Sequence, residues 1–423
     1  MRRLTIGQLG DSHVHLHSRF AECMRLHEWI VDDMARRGVA LVAHTGDLYE
    51  QKSVPEERNA AERIISKCAD FAPFVIIRGN HDVPGDLAIM RRLRTRYPVI
   101  VEEGAGTVLV AASAASGAPN QPIGVACLSW PRKANLLAQL AQPVSPEQSS
   151  EVAQEALRDV LRGLGQELDQ MGREKPNLLL AHAMMRGAVT SAGQPLVGRD
   201  MELDLTDLGL VRAKYVGLGH IHMPQEWKFG GAWNVFAGSP RRTAYGENED
   251  KGYVLVHFDE ASDGWHCAGF ERITVPATPM LDVVSAWKGE GEGLTSDVGG
   301  WDNPAFLATL RGADVRFRYA VPADAREPAR LAAEALRQRF LDAGAVNVTS
   351  EPEAISQTRA RAPEIVEALT TWDKLQTLWR LRQVTHPDAR VARLKDKVTE
   401  LENESHAVFY TDGAGKPAVA RYA

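Results

Sequence analysis

The 423-residue sequence has no apolar run near the roughly 18 residues needed to cross a bilayer, and its first residues lack the hydrophobic centre of a secretory signal. No membrane association is expected, and the predicted address is cytoplasmic. Cysteine is scarce: Cys23, Cys68, Cys127 and Cys267 are widely separated, with no C-x-x-C pair. That spacing argues against a disulfide framework and a thiolate zinc site, and the four are read as buried reduced thiols. Excess positive charge is missing too. With a net charge of −6 and a pI near 6.1, the chain offers nucleic acid no global attraction, so a stand-alone DNA binder is not expected. The densest basic run is RRLRTR, which places Arg91, Arg92, Arg94 and Arg96 together. Arg132, Lys133, Arg241 and Arg242 are scattered additions that could extend a local DNA-binding surface.

What is present is the composition of a globular protein, 44% hydrophobic and 25% charged, at a length that predicts two or three domains. Short apolar runs repeatedly end in polar clusters: VALVAHTGD (39–47), PFVIIRGNHD (73–82), NLLLAH (177–182) and KYVGLGHIH (214–222). They are rich in Val, Ile and Leu and do not alternate, as expected of strands covered on both faces. Helical patterns at 20–37 and 56–69 fall between them, predicting crossover units of an α/β sheet. Ligands of such sheets collect beyond the carboxyl ends of the strands, where the polar clusters lie.

The stretch GDSHVHLH (10–17) is the densest of these clusters. Residues two apart on an extended chain face the same way, so Asp11 with His13, and His220 with His222, are each predicted to grip one ion. Asp47, Asn80, His81 and His182 stand at the other strand ends. A set of carboxylate, carboxamide and imidazole without thiolate favours Mn²⁺ or Fe²⁺ over structural zinc, with catalytic Zn²⁺ open. The set exceeds what one ion needs, and two ions sharing a carboxylate would use it.

Any one of these motifs arises by chance. In the order D-x-H, GD, GNHD, lone H, GHIH, all at strand ends, they resemble the calcineurin-like metallophosphoesterase superfamily through position 222. The resemblance implies a sandwich of two mixed β-sheets flanked by helices and two divalent ions, Mn²⁺ first and Mg²⁺, Fe²⁺ or Zn²⁺ as alternatives. By the same resemblance Asp11, His13 and His222 hold one ion, Asn80, His182 and His220 the other, and Asp47 bridges them. His81 matches the acid beside the leaving group, with Asp82 expected to orient it. His15 and His17 match nothing required; His27 and His44 are read as a helix-surface and a core residue. The implied reaction is metal-dependent hydrolysis of a phosphate ester.

ACLSWPRKANLL (126–137), GHIHMPQ (219–225) and residues 233–258 resemble, more narrowly, the SbcD branch of double-strand-break repair nucleases. That resemblance implies 3′ to 5′ exonuclease and single-strand endonuclease activity on DNA. Glu50 departs from it, standing where several relatives carry a histidine that handles the phosphate. The alternative enzyme is a phosphodiesterase or phosphatase of the same superfamily with a small substrate. A scaffold with a degenerate metal site is disfavoured by the intact ligand series.

The expected domains are a nuclease domain over 1–280, a capping domain over 281–355 and a helical partner-binding region over 360–423. KGEGEGLTSDVGGWDNP (288–304) reads as a linker. A strand at 314–322, a helix at 325–342 and a strand at 345–352 make a small α+β unit, which in SbcD proteins narrows access to the metals. Further on, Ile365, Leu369, Trp372, Leu375 and Trp379 align on one helix face, and Val391, Leu394, Val398 and Leu401 repeat on a second. His386-Pro387 separates the two, and residues 407–423 are expected to add a strand pair. In the SbcD family this region docks on the coiled-coil base of an SbcC-like ABC-type ATPase, in a heterotetramer built around a homodimer.

Overall fold

The computed structural model describes residues 2–138, 145–192, 194, 201–354, 370–405, 407–411 and 417–421. The chain divides into two compact units, one of residues 1–319 and 327–353 and the other of 320–326 and 354–423.

In the first unit, β1 (Arg3–Leu9), α1 (Phe20–Arg36), β2 (Leu41–His44), α2 (Pro55–Ala69), β3 (Phe74–Ile77) and β4 (Val99–Glu102) follow one another. The chain continues through β5 (Ala105–Ala111), β6 (Pro122–Leu128), α3 (Lys133–Ala138), α4 (Ser149–Met171) and β7 (Asn177–His182). Next come β8 (Met184–Met185), β9 (Glu202–Leu203), α5 (Leu205–Gly209), β10 (Tyr215–Gly219), β11 (Gln225–Phe229), β12 (Ala232–Phe236), β13 (Gly252–Ala261) and β14 (Gly264–Thr274).

Two six-stranded sheets result, ordered β14-β13-β1-β2-β3-β4 and β11-β12-β10-β7-β6-β5. Both are mixed. β1 to β4 run parallel, with β13 antiparallel to β1; β6, β7, β10 and β12 run parallel, with β5 and β11 antiparallel at the edges. Side chains alternate across each strand, so Leu41 and Ala43 enter the core between the sheets while Val42 faces the helices. Leu178 and Leu180 likewise meet the other sheet, and Leu179 and Ala181 face outward. Leu26, Ile30 and Ile65 of α1 and α2 cover the first sheet, while Leu157, Leu161 and Leu164 of α4 cover the second. Burial on both faces is why these strands read as unbroken apolar runs.

A smaller sheet, β15-β16-β17, is built from Met280–Ala286, Asp314–Val321 and Asn347–Ala354, with α6 (Pro304–Thr309) and α7 (Arg326–Asp342). Residues 288–304 are not a linker. The Trp301 ring sits 5.6 to 6.1 Å from Phe306, Phe317 and Phe340, and its indole N–H donates to Leu294 O at 2.8 Å. The glycine and acid content that reads as flexible chain instead forms the turns that bring Trp301 into this aromatic core.

In the second unit, α8 (Thr371–Leu381) starts at Thr370, whose hydroxyl accepts from Asp373 N at 3.1 Å. α9 spans Asp388–Ser405, and β18 (Ala407–Thr411) pairs antiparallel with β19 (Pro417–Arg421). Trp372 and Trp379 meet edge to face at 5.7 Å, and no residue of α8 is buried. Val391, Leu394 and Val398 are half-buried along α9. Ile365 and Leu369, expected on the first helix, lie outside the described residues.

Candidate metal centre

The five strand ends meet at one edge of the two sheets. Loops after β1 and β2 are tied by Asp11 N to Gly46 O (2.9 Å) and His13 N to Asp47 O (3.1 Å). Close packing there requires missing side chains. A Cβ on Gly79 would lie 2.1 Å from an Asp47 carboxylate oxygen, and one on Gly46, at φ +95°, would lie 2.7 Å from His182 Nδ1. Asp11, His13, Asp47 and His220 themselves adopt positive φ, at 50°, 46°, 53° and 103°. Each such residue costs on the order of 1 to 3 kcal/mol, which the surrounding hydrogen bonds must offset.

This backbone corrects one expectation. Asp11 and His13 converge because the chain turns left-handed, not because it is extended. His220 and His222 do not share a group either: Asp11, His13 and His222 offer ligand atoms within 4.8 Å of one another, and Asp47, His182 and His220 form a separate set. Asp47 also belongs with His13 and His81, so its carboxylate stands between the sets. His13 Nε2 faces His222 Nε2 at 3.0 Å. Asn80 Oδ1 lies 2.8 Å from His182 Nε2 and 2.9 Å from His220 Nδ1. His220 Nε2 is buried without a hydrogen-bond partner among the described residues. Imidazole nitrogens turned on one another, with carboxylate and carboxamide oxygens between them, suit divalent cations better than they suit each other. The residues therefore fit two ions.

Burial and charge compete throughout. Burial opposes ionisation of Asp47, yet His182 at 3.3 Å and His13 at 3.8 Å hold its carboxyl far below the usual range. Burial likewise opposes a charged His182, but Asp47 raises it to about 9. Burial lowers His220 to about 3. Asp11 is raised, mainly by burial.

His81 N donates to Asp47 at 2.8 Å, and its ring Nδ1 lies 2.7 Å from Glu50 O. Asp82 does not orient that ring as expected. Its two oxygens accept from Tyr49 N (3.0 Å) and Gly79 N (2.9 Å), so it fixes the loops that carry Asp47 and Asn80. Burial, then the charge of Asp47, raise Asp82 to about 6.

Arg241 is also corrected. At 1% exposure it cannot reach DNA; it donates to His13 O at 2.7 Å and to Ser12 O at 3.4 Å, bracing the first ligand loop. Arg242 spends its donors on Glu247 O, Glu249 O and Ala277 O. In the basic run, Arg91 donates to Val101 O and Arg96 lies over Tyr97, while Arg92 and Arg94 are exposed.

His27 is not on the helix surface. Gly46 N–H donates to His44 Nδ1, His44 to Ser12, Ser12 to His27 Nε2 and His27 Nδ1 to Cys23 O, a buried chain in which every proton has a direction. Burial lowers His27 to about 4 and His44 to about 3, so both stay neutral. His15 lies 3.2 Å from Gln51, packs on His17 and belongs to none of the three donor groups. Glu50, which the sequence marks only as a departure from the family pattern, places its carboxylate 2.8 Å from His13 Nδ1, and sequence reading missed Trp130, packed at 4.7 Å on His220. Trp130 could have been found, since it stands inside the SWPR stretch.

The model of the calcineurin-like phosphoesterase superfamily domain matches residues 4–261. The chain belongs to this superfamily. Its members are metal-dependent hydrolases that use two divalent metals, in accord with the donor sets above. No curated protein matches the chain. Solved structures similar to it include a dimetal phosphatase from Danio rerio, at 10% identity over 65% of this chain and 99% of that one, with a TM-score of 0.41. The calcineurin-like phosphoesterase YfkN from Bacillus subtilis is 13% identical over 65% and 90%, with a TM-score of 0.38. The anchor GAP50 of the Plasmodium inner membrane complex is 10% identical over 65% and 90%, with a TM-score of 0.40. None of these likenesses bears on substrate.

Proposed function

We propose that this phosphoesterase is a DNA nuclease of the SbcD type, cutting ends 3′ to 5′ and single strands internally. The observation that carries the reading is Asp47 shared between two ligand groups with His81 at their edge, in a chain whose residues 126–137, 219–225 and 233–258 resemble SbcD. Asp11, His13 and His222 would hold one ion; Asn80, His182 and His220 would hold the other; Asp47 would bridge. Two such ions, Mn²⁺ foremost, supply positive charge to phosphoryl oxygens and activate water when bound. Glu50 O accepts the Nδ1 proton of His81, so the form that can pass a proton to the departing alkoxide is the imidazolium, which carries a second proton on Nε2 and gives that one up.

The small unit over 280–354 is proposed to cap the substrate path. It joins the metal-site domain through Tyr245, which donates to Asp314 at 3.0 Å, and through the Arg316 guanidinium 4.7 Å over the Tyr245 ring. Since the chain is acidic and two of the expected cations are committed internally, the DNA grip is assigned chiefly to a partner, with Arg92 and Arg94 as local contacts. The surface of α8 bearing Trp372, Leu375 and Trp379, with Ile365 and Leu369 before it, is proposed to dock on an SbcC-like ATPase.

The loss of Arg241 and Arg242 as DNA contacts also favours a second reading, a phosphodiesterase or phosphatase with a small substrate. The full chain with Mn²⁺ should be offered linear duplex DNA, a single-stranded circle and bis-p-nitrophenyl phosphate. Cleavage of DNA supports the nuclease; activity confined to the small ester selects the second reading.

A further inference from the structure

Behind His222 the chain buries an ion pair that none of the ligand motifs includes. Lys251 Nζ lies 2.8 Å from Glu247 and 2.7 Å from Glu249, and the Lys251 and Glu247 side chains are both fully buried. Glu247 is further held by Thr243, whose N–H donates to one carboxylate oxygen at 3.1 Å and whose hydroxyl donates to the other at 3.0 Å. The same hydroxyl oxygen lies 3.3 Å from His222 Nδ1.

A hydroxyl has one proton, and a carboxylate can only accept. The Thr243 proton is therefore committed to Glu247, and its oxygen is left to accept from His222. That assigns the His222 proton to Nδ1 and leaves Nε2 bare, on the edge that faces His13 and Asp11.

We propose that Thr243 and Glu247, anchored by Lys251, are positioning residues that fix the tautomer and ring angle of His222 for the ion held with Asp11 and His13. The inference rests on the two-metal reading but not on the identity of the substrate. A partner on the far nitrogen of a metal-bound imidazole is worth about 10- to 100-fold in affinity.

The test is Mn²⁺ titration calorimetry on the full chain, with thermal unfolding as a check on the fold. Thr243→Val keeps the buried Glu247–Lys251 pair and removes only the hydroxyl. It should weaken one of two Mn²⁺ equivalents by about 10- to 100-fold and leave the other unchanged, and Thr243→Ser should restore wild-type binding. Glu247→Gln should weaken the same equivalent. Two equivalents bound with wild-type affinity by a folded Thr243→Val protein would overturn the positioning role alone. A wild-type chain that takes up no Mn²⁺ would overturn the metal centre and this inference with it.

Discussion

Around Asp47 the candidate donors are buried, with Asn80 half-buried, and they are tied to distant parts of the chain, as His220 N is to Asp11, 209 positions away. Along α8 no side chain is buried, and its described contacts include a threonine cap, an aromatic pair within the helix and Trp379 packed on His386 just beyond it. The first region is over-determined, which lets it keep four left-handed side-chain-bearing residues. The second leaves Trp372, Leu375 and Trp379 half covered. Changes in the first should therefore damage chemistry, and changes in the second should damage assembly.

The sharpest test of that division is Asp47→Ala. A carboxylate between both ligand groups serves both ions, so we expect metal content to fall at both sites and turnover to vanish. Metal analysis that still found two tightly bound ions would show that Asp47 is not shared. Next in size is His81→Ala. His81 touches Asp47 through its backbone and Glu50 through its ring, so both ions should remain while turnover drops by about 10² to 10⁴. Unchanged cleavage at saturating Mn²⁺ removes His81 from the reaction.

A smaller effect, graded with pH, comes from His182. Burial works against its charge, but Asp47 raises it to about 9. An ion needs the neutral ring, so below that pH binding must expel a proton. Apparent Mn²⁺ affinity should rise by about tenfold per unit as pH climbs toward 9 and then level off. The metal-free protein should respond in the opposite sense. A group whose folded value lies above its ordinary 6.5 contributes stability that is complete below 6.5 and is lost as pH rises through about 9. Titrations from pH 7 to 9 with flat affinity and no proton release would take His182 out of the ligand set.

The same contrast explains what the sequence disclosed. Strands β2, β3, β7 and β10 were legible because burial on both faces leaves an unbroken apolar run. The candidate donors stood out because few side chains bind hard cations and these fall at strand ends in a recognisable order. The division of His220 from His222 between two groups was not legible from spacing, since it depends on a backbone turned to φ 103° at His220. Nor could residue type place His27 and Arg241 inside. Both are polar residues that are usually exposed, and only the convergence of the loop after β1 with α1 and the loop after β12 supplies their partners. The Glu247–Lys251 pair carried a faint signal, opposite charges four apart, indistinguishable from a solvated turn until the fold encloses it.

The last and smallest effect on hydrolysis, none at all, is expected from deleting residues 360–423. The deletion removes α8, α9 and the β18–β19 pair, which belong to a compact unit other than the one containing the ligand groups. No ligand residue is lost, and the hydrogen bonds that hold Asp47, Asn80 and His182 all come from residues before position 223. Metal-dependent cleavage of a small diester should continue at the wild-type rate. Co-purification with a cognate ATPase should disappear, because the half-covered stripe of Trp372, Leu375 and Trp379 goes with the deleted segment. Trp379→Ala in the full chain refines the test, removing one anchor while the helix keeps its Thr370 cap; a buried aromatic anchor is worth about 2 kcal/mol or more of binding. Full ATPase affinity in both variants would leave α8 with no docking role. Loss of small-diester activity in the truncated chain would instead make these helices part of the catalytic fold, and the contrast between the two regions would fail.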